Sequence, residues 1–412
     1  MRLVFINNTH PLTPHVSGMR LFHFANAMAQ RGHQVVLLTG APPNGTIVNA
    51  SHGNLALQLD AHDWSKPMVL SVTPLPDRLL RAMRAGLLPA LLRKVMTAWQ
   101  FIVHGGVFPD WTRAAKPIVS QLATMFAPDL VWATFGNTSN LILGQSLAGQ
   151  AKCPWVMDVK DSWIAFVPRG LRRLMAFRCR DANGLTSNAE YHLQIARKWF
   201  RQPRTAVIYS GVVDAFYAAR QEPKQTSQET TILLVGSTYS QVVLAQFVAA
   251  FKLWRDGLAD GSTMRLHYAG SDDERVLAML QAAGLSDISE VYKQLPLPEL
   301  ARLVRNAAAV CYLWAPFTFH HKLLELLVVG APVISYPGEH VESLRLASEC
   351  ATPFFPCRDV NQLTAAFDRA LAFDSLGTPS ANMPVWRWSD FSVGLEDFFT
   401  ATQSSKELKC AG

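Results

Sequence analysis

The sequence predicts an α/β chain of two doubly wound parallel-sheet domains with a cleft between them and a closing helix. Three observations predict it. At 412 residues the chain exceeds one ordinary core and suits two domains of roughly 200 residues each. Short apolar runs alternate with helical stretches along its length, and strands alternating with helices mean a parallel sheet covered on both faces. Between Ala218 and Thr230 the stretch "AARQEPKQTSQET" loses almost every large apolar residue, the compositional mark of a linker.

Each element follows in order. "RLVFIN" reads as a strand, "NTHPLTPHVSG" as a polar loop, and Ser17 to Arg31 as a helix with Ser17 at its N-cap and Gly32 as its stop, before the strand "QVVLLT". Strands follow at "DLVWAT", "PWVMDV", "GLTS" and "AVIYS". Past the linker the alternation restarts with "TILLVG", a helix around "LAQFVAAFKLW", "MRLHYAG", the helix "DERVLAMLQAAG", "AAVCYLW", an amphipathic helix and "PVISY". Such short apolar runs between Gly and polar turns suit strands buried on both faces. The tail "VWRWSDFSVGLEDFFTATQ" reads as an aromatic-rich helix, with a polar frayed end from about Ser404. The expected layout is therefore 1–217, a linker at 218–230, 231–385 and a helix over 386–403.

Composition narrows the function classes. Hydrophobic residues make up 49% and charged residues 17%, which is globular and far from disorder. No run approaches the ~18 apolar residues that span a bilayer, and "MRLVFIN" is too short for a signal peptide's apolar core, so a cytoplasmic protein is expected. Six cysteines without a C-x-x-C pair argue against a disulfide framework and a zinc cluster. The net charge of +7 is concentrated in "PDRLLRAMRAGLLPALLRK" and "RGLRRLMAFRCR", both of which look like basic amphipathic helices. Such helices lie well on an anionic membrane face, which makes peripheral association with the inner membrane a possible partner interaction. The other reading packs their leucines on their own domain and leaves the arginines solvated. No RNA-recognition signature or zinc finger interleaves with the basic residues, so nucleic acid is not expected as a partner. A nicotinamide dehydrogenase is excluded because the first strand is not followed by G-x-G-x-x-G.

A run of local patterns resembles one family. "SGMRLFHFANAMAQRGHQVVLLTG", "FPDWTRAAKPI", "APDLVWATF", "PWVMDVKDSW" and "DANGLTSNAEYHL" in the first half, then "ILLVGSTYS", "LHYAGSDDE", "LPLPELARLVRNAAAVCYLWAP" and "KLLELLVVGAPVIS", follow the order and spacing of the retaining glycosyltransferases of family 4, bacterial polysaccharide-building type. Each pattern alone is weak; their order over some 300 residues carries the resemblance. It implies the GT-B architecture: two Rossmann-like domains, an N-terminal acceptor side and a C-terminal nucleotide-sugar side, with the last helix crossing back onto the first domain. It also implies transfer of a sugar from a nucleotide-sugar to a saccharide or lipid-linked acceptor, with no cofactor and no metal.

The chemistry of the residues is compatible with that. A diphosphate can be met by helix N-termini preceded by small residues, which present free backbone N–H groups and a positive dipole end. Ser17-Gly18, Gly236-Ser237 and Gly270-Ser271 offer three such places at the carboxyl ends of expected strands. The resemblance assigns the donor ribose to Glu325 and the diphosphate to Lys322. A carboxylate accepts from vicinal hydroxyls, and an ammonium suits phosphate as a compact charge. Spacing of i and i+3 would equally allow a plain surface ion pair between the two. Arg20 is expected to help hold the donor. On the acceptor side stand Asn137 and, as candidate catalytic groups, Asp158, Asp161 and His15, with His10 in the same loop. Asp161 would orient or deprotonate an acceptor hydroxyl; Asp158 or Asp161 would alternatively cap the next helix. His320 and His321 point about 100° apart on a helix and are not expected to share a metal.

The sequence departs from the family in two places. Counting back seven residues from Glu325, where many members carry an earlier glutamate near the transferred sugar, stands Thr318. The loop "STYSQVVLA" lacks the arginine and lysine often found there. These departures motivate an alternative: a non-catalytic GT-B subunit that binds glycan or nucleotide without turnover.

Overall fold

The computed structural model describes residues 1–13, 16–43, 55–225, 228–259, 263–315, 318–374 and 384–410. The chain divides into two compact units: Met1–Ser210 with Trp388–Gly412, and Gly211–Arg387.

Unit 1 is built on a seven-stranded sheet with β1 (Arg2–Asn7), β2 (Gln34–Gly40), β3 (Met68–Val72), β4 (Leu130–Phe135), β5 (Trp155–Val159), β6 (Gly184–Ser187) and β7 (Thr205–Val207). Their spatial order is β3-β2-β1-β4-β5-β6-β7, and every neighbouring pair is parallel. Alternate residues of β1 go to opposite faces, as a two-residue period requires. Val4 and Ile6 join a core with Trp111, Ile118 and Leu147, while Leu3 and Phe5 join one with Leu21, Phe24 and Trp132. The second core is closed by the final helix, Trp388–Cys410, whose Leu395 and Phe399 are fully buried there. Its Glu396 takes an ion pair from Arg31 and a 2.8 Å contact from His33.

Unit 2 carries six strands, β8 (Thr230–Val235), β9 (Met264–Ala269), β10 (Ser289–Tyr292), β11 (Ala309–Leu313), β12 (Val333–Tyr336) and β13 (Phe354–Pro356). Their order is β10-β9-β8-β11-β12-β13, again all parallel. In both sheets the winding reverses once, between β1 and β4 and between β8 and β11. At such a reversal the loops leaving the two strands diverge to opposite faces and leave a crevice at the carboxyl ends, where doubly wound sheets take ligands.

Several expectations are corrected. Residues 218–221 are the last turn of the helix Asp214–Gln221, Thr230 opens β8, and the division between units falls at Ser210, because the helix Asp214–Gln221 packs in unit 2. Trp386 belongs to unit 2, where its carbonyl accepts from the Val212 N–H at 2.7 Å; the final helix starts at Trp388 and runs to Cys410, past the frayed end expected from Ser404. The stretch "PDRLLRAMRAGLLPALLRK" is two helices, Arg78–Arg84 and Ala90–His104, separated at Gly86 to Pro89. Ser17 lies inside the first helix, Val16–Gln30, where its hydroxyl accepts from the Asn7 amide at 3.1 Å.

Candidate functional site

The reversal in unit 2 gathers six of the residues singled out above. β8 is followed by Gly236, which adopts φ +89°, the left-handed region that favours glycine. Its N–H donates to the Ala269 carbonyl at 2.9 Å and its own carbonyl accepts from the Tyr268 hydroxyl at 2.8 Å, which ties the loop after β8 to the loop after β9. Ser237 Oγ and Ser271 Oγ stand 3.0 Å apart across the same join. Gly270 packs so closely that a β-carbon there would fall 2.3 Å from the Tyr268 hydroxyl and 2.4 Å from the Gly236 carbonyl oxygen. Asp272 completes the clasp by accepting from the Thr238 N–H at 2.8 Å.

The helix Lys322–Val329 follows β11 on the other side of the reversal. Lys322 lies against Gly236: a β-carbon on that glycine would stand 3.5 Å from Lys322 Cε and 3.8 Å from Nζ. The start of this helix is held by His320, whose Nδ1 accepts from the Lys322 N–H at 3.0 Å. That bond places the ring proton on Nε2, and burial drives the pKa of His320 well below its ordinary value, with the nearby His321 and Lys322 charges adding to the shift, so the ring is neutral. Trp314 meets the same ring edge-on, with centroids 4.0 Å apart.

Glu325 sits one turn into the helix. It makes no hydrogen bond or ion pair with any described residue, Lys322 included, and Lys322 Nζ likewise has no such partner among the described residues. The surface ion pair that the i, i+3 spacing allows does not form. Glu325 keeps a partly exposed surface. Burial pushes its carboxyl pKa up, and the Lys322 ammonium pulls it back only in part. A partly buried carboxylate that no described residue donates to keeps its acceptor oxygens for hydroxyls. Thr318 is engaged in its own turn, its hydroxyl donating to the Ala315 carbonyl at 2.6 Å.

Unit 1 sorts its candidates differently. Arg20 and Asp158 are 1% and 0% exposed and are consumed by each other, with Nε to Oδ2 at 3.0 Å and Nη2 to Oδ1 at 2.9 Å. Thr134 and Thr186 hydroxyls donate to the remaining lone pairs of Asp158 at 3.2 and 2.9 Å, and a further Arg20 nitrogen donates to Ser210. This pair is a sealed strut, and neither member is presented to a donor or an acceptor. Asn137 caps the helix Thr138–Ala151, accepting from the Asn140 N–H, and donates to Asn8 at 2.8 Å. Gly18 is in the first helix with the His10 carbonyl packed over it, 2.7 Å from where a β-carbon would be. His10 is buried, and that burial lowers its pKa; His15 lies outside the described residues. Asp161 is partly exposed and pairs with Lys160 at 2.6 Å. The helix behind it, Trp163–Phe166, has Ser162 at its N-cap position with no side-chain capping bond, so neither Asp158 nor Asp161 occupies the cap.

Two groups were missed by sequence reasoning. Lys160 is almost wholly buried at the carboxyl end of β5, its Nζ close to Gly136 at the end of β4. Its place directly before Asp161, at the end of an apolar run, was the available signal. Glu339 follows β12 and accepts from the Tyr312 hydroxyl at 2.5 Å and the Ser343 hydroxyl at 2.6 Å. Burial outweighs these donors and raises its carboxyl pKa to about 7. No sequence pattern marks it, because Tyr312 and Ser343 reach it from separate elements.

A scan against models of known families finds no match, and no curated protein matches the sequence. Solved structures do match. HepE of Anabaena, in complex with UDP and glucose, is similar with a TM-score of 0.60 at 13% identity, over 97% of this chain and 100% of that one. Sucrose-phosphate synthase of Thermosynechococcus elongatus is similar with a TM-score of 0.65 at 15% identity, over 100% and 99%. UDP-GlcNAc 2-epimerase of Methanocaldococcus jannaschii is similar with a TM-score of 0.56 at 12% identity, over 96% and 99%. At these identities the likeness is one of fold. Two all-parallel doubly wound sheets with flanking helices make this the GT-B fold.

Proposed function

We propose that the chain is a glycosyltransferase that moves a sugar from a nucleotide-sugar donor to a saccharide or lipid-linked acceptor, with retention, in the making of cell-surface polysaccharide or glycoconjugate at the inner membrane face. The observation that carries this reading is the pair of unpartnered charges at the reversal of the second sheet: Lys322 against Gly236, and Glu325 one turn on. HepE, which shares the fold, was crystallised with UDP and with UDP-glucose.

In this reading Lys322 and the hydroxyls of Ser237 and Ser271 meet the diphosphate, and Glu325 accepts from the ribose hydroxyls. The bond from the anomeric carbon to the diphosphate oxygen breaks, and its electron pair leaves with the diphosphate, where the ammonium stabilises the developing charge. The acceptor hydroxyl attacks from the same face and gives its proton to a donor phosphate oxygen. A second reading, binding without turnover, is favoured by Thr318 standing where an earlier glutamate would touch the sugar.

Titrating the wild type, Glu325→Gln and Lys322→Ala with a panel of nucleoside diphosphates and the matching nucleosides tests the site. Losing a charged hydrogen-bond partner costs about 1.5–3 kcal/mol, so Glu325→Gln weakens the diphosphate by roughly ten- to a hundredfold. Lys322→Ala weakens the diphosphate more than the nucleoside, because only the former carries charge for the ammonium to meet. Unchanged affinities in both variants would sink the assignment. Tight binding without sugar transfer or hydrolysis would favour the second reading.

A further inference from the structure

The helix Ala90–His104 in unit 1 is amphipathic the wrong way round. At 100° per residue, Leu91, Leu92, Val95, Trp99, Ile102 and Val103 fall within an arc of about 120°. That arc faces solvent: Leu91 is 76% exposed and Val95 and Trp99 are 59% exposed each. The face toward the protein is the opposite one, carrying Gln100 and Phe101, both buried. A contiguous exposed apolar face of this kind marks an interaction surface.

Charge identifies the occupant. Arg93 and Lys94 are exposed, about 80° and 60° beyond the two edges of the apolar arc, and Arg93 donates to the Gly86 carbonyl at 3.5 Å. From 78 to 128 the chain has seven lysines and arginines against one acid, Asp110, and that acid is buried and taken up by Arg84. The helix is tied to a second basic segment, since Arg178 donates to the carbonyls of Phe101 (3.0 Å) and Ile102. Beside Arg178 stands Phe177, 61% exposed, at the rim of a cavity of about 470 Å³ that is lined by Arg173, Arg180, Lys198 and Arg201 and by no acidic residue. No described helix is long and apolar enough to cross a bilayer.

We infer that the helix Ala90–His104 is a membrane-docking wedge: it lies in the plane of an anionic phospholipid surface, with its apolar arc among the acyl chains and Arg93, Lys94 and the cavity cations at lipid phosphates. The inference rests on unit 1 alone and stands whether or not the proposed transfer reaction does.

The test is sedimentation of the full chain with phosphatidylcholine vesicles made with and without phosphatidylglycerol, beside its oligomeric state in solution. The wild type binds the phosphatidylglycerol vesicles and releases from them in high salt. Leu91→Ser/Val95→Ser/Trp99→Ser lowers binding at least about tenfold through lost apolar burial. Arg93→Ala/Lys94→Ala lowers it about 30-fold at the usual attraction per surface cation. Both variants alter exposed side chains and keep the wild-type unfolding temperature. Quenching by nitroxide-labelled lipid, read as the difference between the wild type and Trp99→Phe, checks insertion without relying on the triple variant. Absence of binding to phosphatidylglycerol vesicles, or equal binding by the triple variant, overturns the inference. So does a wild-type dimer that the triple variant dissolves while vesicles are ignored, since a second copy of the chain then covers this face.

Discussion

Asp158 receives four hydrogen bonds on two oxygens, and the Arg20 guanidinium that supplies two of them lies 5.0 Å from the Phe24 ring centroid and 5.7 Å from that of Trp132. Removing one partner strands the other as a buried charge, so Asp158→Asn is expected to cost about 3–5 kcal/mol in urea unfolding; a loss below about 1 kcal/mol would mean the pair is not sealed. Glu339 yields a pH prediction. Its folded pKa of about 7 lies above the ordinary 4.5, so between those values the folded chain holds a proton that the unfolded chain has released. Stability from this group is full below about pH 4.5, falls as pH rises, and is gone above about pH 7. Glu339→Gln keeps an acceptor for Tyr312 and has nothing to ionise. The stability difference between variant and wild type should therefore grow across that window by on the order of 3 kcal/mol. Parallel unfolding curves at pH 5 and pH 8 would rule it out.

At the scale of elements, the loops after β8 and β9 act as one clasp because Gly270 lets the Tyr268 hydroxyl reach the Gly236 carbonyl. Gly270→Ala puts a methyl group inside that bond. The expected result is at least a tenfold loss of nucleoside diphosphate affinity, read by calorimetry, because one lost charged or buried hydrogen bond is worth about 1.5 kcal/mol or more. The strands leading into the clasp are buried and remain. Strands of this kind were legible in the sequence: β1, β2, β4, β8 and β11 are apolar runs buried on both faces. Of the four edge strands, β7 was read from "AVIYS" and the other three were not. β3, β10 and β13 pair on one side only; β10 is half-exposed along its length and β13 has three residues, so neither of these two carries a pattern that separates it from a loop, whereas β3, "MVLSV", is a short apolar run that the reading passed over.

For the whole molecule, the two units differ in how the chain completes them. Unit 2 is one continuous stretch, Gly211–Arg387, whereas unit 1 needs Trp388 onward to cover Leu3, Phe5 and Trp132. A fragment of 211–387 is expected to unfold cooperatively by itself. A fragment ending at Ser210 exposes a large apolar face and should aggregate, and adding 388–412 in trans should restore its solubility. If the 1–210 fragment stays soluble and cooperative, the final helix is dispensable to unit 1.

What the sequence determined by itself is local. Apolar runs of strand length between helical stretches settle a doubly wound parallel sheet, because burial on both faces leaves no other use for them. The spacing of Lys322 and Glu325 places them on one helix face whatever else the chain does. The partners of each charge were decided by tertiary structure alone. Arg20 and Asp158 are 138 residues apart in sequence, and their meeting consumes two expected site residues. Lys322 reaches Gly236 only because β11 inserts next to β8 at the reversal of the sheet, and Glu325 has no hydrogen-bond or ion-pair partner among the described residues. The exposed leucines of Ala90–His104 follow the same logic: periodicity shows that a helix has an apolar face, and only packing decides whether the protein or something outside it covers that face.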